Sequence, residues 1–111
     1  MIISANKEDN TYVITIDGEI DASSSIELDT VIAEAIKKGE RKILVDCEKL
    51  NYISSAGLGV FMSYLEDFDE QGIKIALYQM NDKVKSVFEI LGLVDLIDIV
   101  PTKEEAEKIV E

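Results

Sequence analysis

Ile43-Leu44-Val45-Asp46-Cys47-Glu48-Lys49-Leu50-Asn51-Tyr52-Ile53-Ser54-Ser55-Ala56-Gly57-Leu58-Gly59-Val60 is the stretch on which the reading of this chain turns. It opens on a short continuous apolar run, Ile43 to Val45, as expected of a strand covered on both faces. From Ala56 the period becomes helical and runs to about Glu70, with Leu58, Phe61, Met62, Leu65 and Phe68 as the core stripe. Gly72 stops that helix. Asp46 to Ala56 reads as the connection between the two, leaving the carboxyl end of the strand.

The same alternation extends in both directions. Upstream, residues 2–5 and 12–16 read as strands joined by a turn through Glu8-Asp9-Asn10, with Gly18 ending the second. Leu28, Val31, Ile32, Ala35 and Ile36 form one helical stripe. Ser24 and Glu27 have capping-box spacing before it, and Gly39 sits where a C′ residue would. Downstream, Ile73 to Tyr78 is a buried strand. Asn81 is placed to cap a helix with the stripe Val84, Val87, Phe88 and Leu91, closed by Gly92. A short strand around Ile97 to Val100 ends at Pro101, and Thr102 with Glu105 opens a terminal helix carrying Ala106, Ile109 and Val110. The pattern ββαβαβαβα predicts an α/β fold: one mixed, mostly parallel sheet, an N-terminal hairpin strand and about four helices. In such folds, sites lie where loops leave the carboxyl ends of strands.

Composition narrows the function. The 111 residues suit one domain, 1–111, large enough to bury a core. A formal charge of −12 repels phosphate backbones and anionic lipid, so nucleic acid and membrane are not expected partners. No apolar run approaches the ~20 residues of a membrane span, and Met1-Ile2-Ile3 lacks the basic flank of a signal peptide. A cytoplasmic location is expected. Cys47 is the only cysteine and reads as a small buried hydrophobe.

Enzyme chemistry is poorly supplied. With no histidine there is no Ser-His-Asp triad, and neither a G-x-S-x-G elbow nor a P-loop occurs. Gly57-Leu58-Gly59 is too little for a dinucleotide fingerprint. The alternating Asp17, Glu19 and Asp21 read as a solvated strand edge rather than a calcium site. No catalysis, cofactor or metal is expected.

The helix start is more specific. Ser54 and Ser55 stand just before an amphipathic helix, where a hydroxyl can accept from free backbone N–H groups. Ala56, Gly57 and Gly59 are unusual in a first turn, because glycine costs ~1 kcal/mol against alanine inside a helix. Small residues there expose the backbone to a close-approaching surface. A phosphate on the serine would meet the positive end of the helix. On a wheel centred on Leu58 and Leu65, Val60 falls nearly opposite the core and Tyr64 at its flank, which extends the small-residue surface into a docking patch. Simple capping remains the other reading of the two serines.

Ile43-Leu44-Val45-Asp46 followed by Leu50-Asn51-Tyr52-Ile53-Ser54-Ser55-Ala56-Gly57-Leu58-Gly59-Val60 resembles the signature of STAS domains, and more narrowly that of bacterial anti-sigma factor antagonists. The likeness spans almost the whole chain, including Gly18-Glu19-Ile20-Asp21-Ala22, Gly72 before Ile73 to Tyr78, and Leu91-Gly92-Leu93. It implies a STAS-type fold and a protein that, unphosphorylated, binds an anti-sigma factor that is also a serine kinase, so that sigma factor is released. Phosphorylation then breaks the complex and a PP2C-type phosphatase restores it. The resemblance places the modified serine at Ser55, with Ser54 as the alternative; joined to the reading of the helix start, it gives an expected partner surface of Asp21, Ser54, Ser55, Ala56, Gly57, Gly59, Val60 and Tyr64. It also matches Asp21 and Asp46 to acidic positions near the site. Many antagonists carry aspartate where this chain has Ser54. That departure supports a second reading, a phosphorylation-independent scaffold or adaptor in a signalling or transport assembly.

Overall fold

The computed structural model describes residues 1–111. The chain runs β1 (Ile2–Glu8), β2 (Thr11–Ile20), α1 (Ser25–Lys37), β3 (Lys42–Ile53), α2 (Ser55–Glu70), β4 (Lys74–Tyr78) and α3 (Asp82–Ile90). A 3-10 turn at Leu93–Asp95, β5 (Asp98–Val100) and α4 (Lys103–Val110) complete it. The expected ββαβαβαβα order is therefore observed. The five strands lie in the order β1-β2-β3-β4-β5, with β1 antiparallel to β2 and every other pair parallel.

Because each parallel strand lies beside its predecessor, the three crossovers share one hand and place α1, α2 and α3 on the same face. Their apolar stripes, including Leu28, Ile32, Leu58, Phe61, Val84 and Phe88, cover Ile14, Ile16, Ile43, Val45 and Leu77 in the larger core. The Phe61 and Phe88 rings meet at 6.1 Å and tie α2 to α3. The other face is covered by α4 alone, through Ala106 and Val110 on Val13, Leu44, Ala76 and Tyr78. Alternate residues of the central strands thus serve two cores, which is why Ile43-Leu44-Val45 is apolar throughout.

Several boundaries differ from those expected. Gly18 does not end β2; at φ +117° it sits inside the strand beside a register shift against β3. Asp46 to Ile53 is not a loop but the second half of β3. There the register passes from Thr15↔Asp46 to Asp17↔Lys49, and from Gly18↔Leu50 to Glu19↔Tyr52. β3 thus carries two extra residues, each a bulge. The bulges turn the burial period from two to three, so Cys47, Leu50 and Ile53 all face the core. That spacing disguises a strand as a connection.

The capping box at Ser24 and Glu27 does not form, since Ser24 has helical backbone angles and no cap hydrogen bond into α1. Asn81 and Thr102 do cap as expected, accepting from Val84 N–H at 2.8 Å and Glu105 N–H at 3.2 Å. Met62 and Leu91, expected in the core stripes, are about half exposed.

Candidate functional site

β2 and β3 end together. Ile20 pairs with Ile53, and Ser54 N–H donates to the Ile20 carbonyl at 2.8 Å. Ser54 alone separates β3 from α2. Its backbone is extended (φ −84°, ψ 168°), and its hydroxyl accepts from Gly57 N–H at 3.3 Å while its carbonyl accepts from Leu58 N–H at 3.1 Å. Ser54 is therefore the N-cap. Ser55 is the first helical residue and is exposed. The N–H groups of Ser55 and Ala56 have no acceptor within the helix by position and mark its positive end.

The two glycines of the first turn have separate causes. A Cβ on Gly57 would stand 2.7 Å from Ile20 Cγ2 and 2.8 Å from Ile53 Cγ1, so this residue is small to let α2 close on the strand ends. Gly57 is buried and offers no surface to a partner, contrary to the sequence expectation. A Cβ on Gly59 would meet nothing within 4 Å. Only Gly59, with Ala56, makes the outward face bare.

That face also differs in its apolar members. Val60 is half-buried and packs on the core rather than pointing outward. Tyr64 likewise packs on the core, and its hydroxyl donates to the Asp29 carboxylate of α1. Burial and the Asp29 hydrogen bond push this phenol up to about 12. The exposed large apolar residues nearest Ser55 in sequence are Tyr52, 44% exposed, and Met62, 48% exposed. The signal for Met62 lay in Gly57. Counting that glycine as a core position centres the helical wheel on Gly57, Phe61 and Phe68, which turns Met62 outward and draws Val60 inward.

Asp21 follows Ile20 at the same end of the sheet. Its carboxylate accepts from the N–H of Ser24 at 2.9 Å and of Ser23 at 3.0 Å, and the Ser23 hydroxyl donates to it at 3.0 Å. Ser24 adds its hydroxyl at 3.0 Å and accepts from Asp21 N–H at 2.8 Å. The Ser24 backbone donor and the serine hydroxyls hold the Asp21 acid down at about 2. The side chain is thus a fixed, fully ionised charge. Ser24 serves this turn instead of the helix, which is why the expected box is missing.

Asp46 lies elsewhere. It is in register with Tyr78, on the α4 face of the sheet, and accepts from Glu48 N–H at 3.0 Å across the first bulge. It stands seven positions before Ile53 along the strand, on the order of 20 Å away. The expectation that Asp46 borders the site with Asp21 is not met. Cys47 is fully buried, as expected, and burial pushes its thiol up.

An exposed serine at a helix start, beside a bare face and at the carboxyl end of a mostly parallel sheet, agrees with the family pattern. The family model of the STAS domain matches residues 3–106. The chain belongs to the STAS family. Among relatives, the anti-sigma-B factor antagonist of Staphylococcus aureus is 30% identical over 97 residues, covering 87% of this chain and 90% of that protein. TM1081 of Thermotoga maritima has the same fold, with a TM-score of 0.89 at 25% identity over 97% of this chain and 93% of that one. The phosphorylated form of the Bacillus cell fate determinant SpoIIAA gives a TM-score of 0.74 at 23% identity, covering 99% and 100%. Within the STAS family the chain groups with anti-sigma factor antagonists, which are regulatory binding proteins rather than enzymes. No helix is long and apolar enough to cross a membrane.

Proposed function

We propose that this STAS protein is an anti-sigma factor antagonist switched at Ser55. Unphosphorylated, it binds an anti-sigma factor that is also a serine kinase, and sigma factor is freed. Phosphorylation of Ser55 ends that binding, and a PP2C-type phosphatase restores it. The observation that carries this reading is the division of labour between the two serines: Ser54 is consumed in the cap, while Ser55 is exposed with no structural bond to lose.

A phosphate on Ser55 brings roughly −1.5 to −2 charges to the surface. Within the protein it meets free N–H groups at the positive helix end, so the fold tolerates it. Against a docked partner it introduces a charge beside Ala56, Gly59 and Met62, where desolvation opposes the complex. The proposed partner surface is Ser55, Ala56, Gly59 and Met62, flanked by Tyr52, Val60 and the ionised Asp21, with Ser54 and Gly57 beneath it.

Incubation with the cognate kinase and ATP, followed by mass-spectrometric mapping, is expected to put phosphate on Ser55. Ser55→Asp is expected to abolish kinase binding. Absence of phosphate from both Ser54 and Ser55 would remove the switch and leave the phosphorylation-independent adaptor, for which Ser54 in place of the usual aspartate is the supporting feature.

A further inference from the structure

The far end of α2 borders a second surface. Leu65, Phe68, Ile73, Leu96, Ile97 and Ile109 line an open groove of about 420 Å³ where α2, α4 and the start of β5 converge. Leu96 is 61% exposed, and earlier in the same segment of chain Ile90, the last residue of α3, is 82% and Leu91 50% exposed. An open apolar groove with a large aliphatic side chain exposed on its wall marks an interaction surface rather than scattered exposure.

The rim says what covers it. Asp69 and Asp98 edge the groove, and its one cation, Lys74, donates to the Glu111 carbonyl at 3.0 Å. The last two turns of α2 carry Glu66, Asp67, Asp69 and Glu70, with no basic residue in the last turn. Carboxylates at the negative end of a helix work against its dipole. A second copy of this chain would bring the same acidic rim and −12 charges, and an anionic membrane would be repelled in the same way. An apolar floor inside an acidic rim is complementary to a helix with an aliphatic stripe flanked by Lys and Arg.

We propose that this groove docks a basic amphipathic helix of a partner protein, separately from the Ser55 surface. α2 carries Ser55 at its first position and Phe68 thirteen residues on, ~20 Å further along its axis. Both are open at once.

The probe is a synthetic peptide of about five helical turns, Leu on one face and Lys on the other, titrated into the ¹⁵N-labelled protein. Amide shifts are expected to centre on Leu65, Phe68, Leu96 and Ile109. Replacing the peptide's Leu by Ser, or Leu96→Gln in the protein, is expected to weaken binding at least tenfold. Asp98→Lys is expected to weaken it severalfold, and Ser55→Asp to leave it unchanged. The exposure of Leu96 and Asp98 keeps both variants folded, which circular dichroism checks. No binding, shifts spread over the acidic surface or centred on Ser55, or equal binding of the Ser-substituted peptide would each overturn the proposal. So would a dimer in sedimentation that Leu96→Gln dissolves, because the occupant would then be a second copy.

Discussion

Gly57 lies against Ile20 so closely that a methyl group on it would stand 2.7 Å from Ile20 Cγ2. Gly59, two residues on, faces open space. The same substitution is therefore expected to have opposite signs at the two positions. Gly57→Ala should destabilise the protein by about 1–3 kcal/mol through overpacking. Gly59→Ala should stabilise it by about 0.5–1 kcal/mol through helix propensity. Urea denaturation measures both, and equal shifts in midpoint would contradict the assignment.

The two serines should separate in the same way. Ser54→Ala removes the acceptor for Gly57 N–H and is expected to cost about 0.5–2 kcal/mol. Ser55→Ala removes no intramolecular bond of the side chain and should lie within about 0.5 kcal/mol of the parent. A large loss from Ser55→Ala would show that its hydroxyl is structural.

Asp21 is expected to titrate near 2 instead of at its ordinary 3.8. Its acid is depressed in the folded state, so the stability it contributes is present above pH 3.8 and disappears as pH falls through about 2. Carboxyl ¹³C titration checks the midpoint. Asp21→Asn should flatten the acid limb of the stability profile in that window. A midpoint at the ordinary value would mean that the serine turn does not hold in solution.

Tyr64→Phe deletes the hydroxyl that joins α2 to Asp29 of α1 and is expected to cost about 0.5–1.5 kcal/mol. The phenolate absorbance titration should lose a component near pH 12 in this variant. An unchanged titration curve would assign that component to another tyrosine.

Met62→Lys tests the partner surface. Met62 is half exposed, so stability should change by no more than about 0.5 kcal/mol. Binding to the proposed anti-sigma factor partner, read by calorimetry, is expected to weaken at least tenfold. Undiminished binding would move the contact away from this face of α2.

The order of elements was legible in the chain because helical and strand periods change sharply at Gly39, Gly72 and Gly92, each of which has positive φ in the structure. The second half of β3 was not, because two bulges give Cys47, Leu50 and Ile53 a spacing that belongs to neither regular element. The helix start was legible as a site, since Ser54, Ser55 and two glycines together break local propensity. Its detail was hidden for one reason. A glycine shows no hydrophobicity, so Gly57 could not announce itself as a core residue, and the wheel was turned towards Leu58. A wheel so turned puts Val60 outside and Met62 inside, the reverse of the structure. Asp21 is legible as a charge, but its serine partners depend on the chain turning back on itself after Ile20, which no periodicity records.

Ser54 as the sole link between β3 and α2 has a mechanical meaning. One residue, anchored through its N–H to β2 and through its hydroxyl to the helix it starts, leaves no slack. A modification beside such a joint has no hinge to swing and no lever to pull. If Ser55 carries the proposed phosphate, the change is expected to be read by touch, by a partner that responds to the added group itself and not to a moved helix.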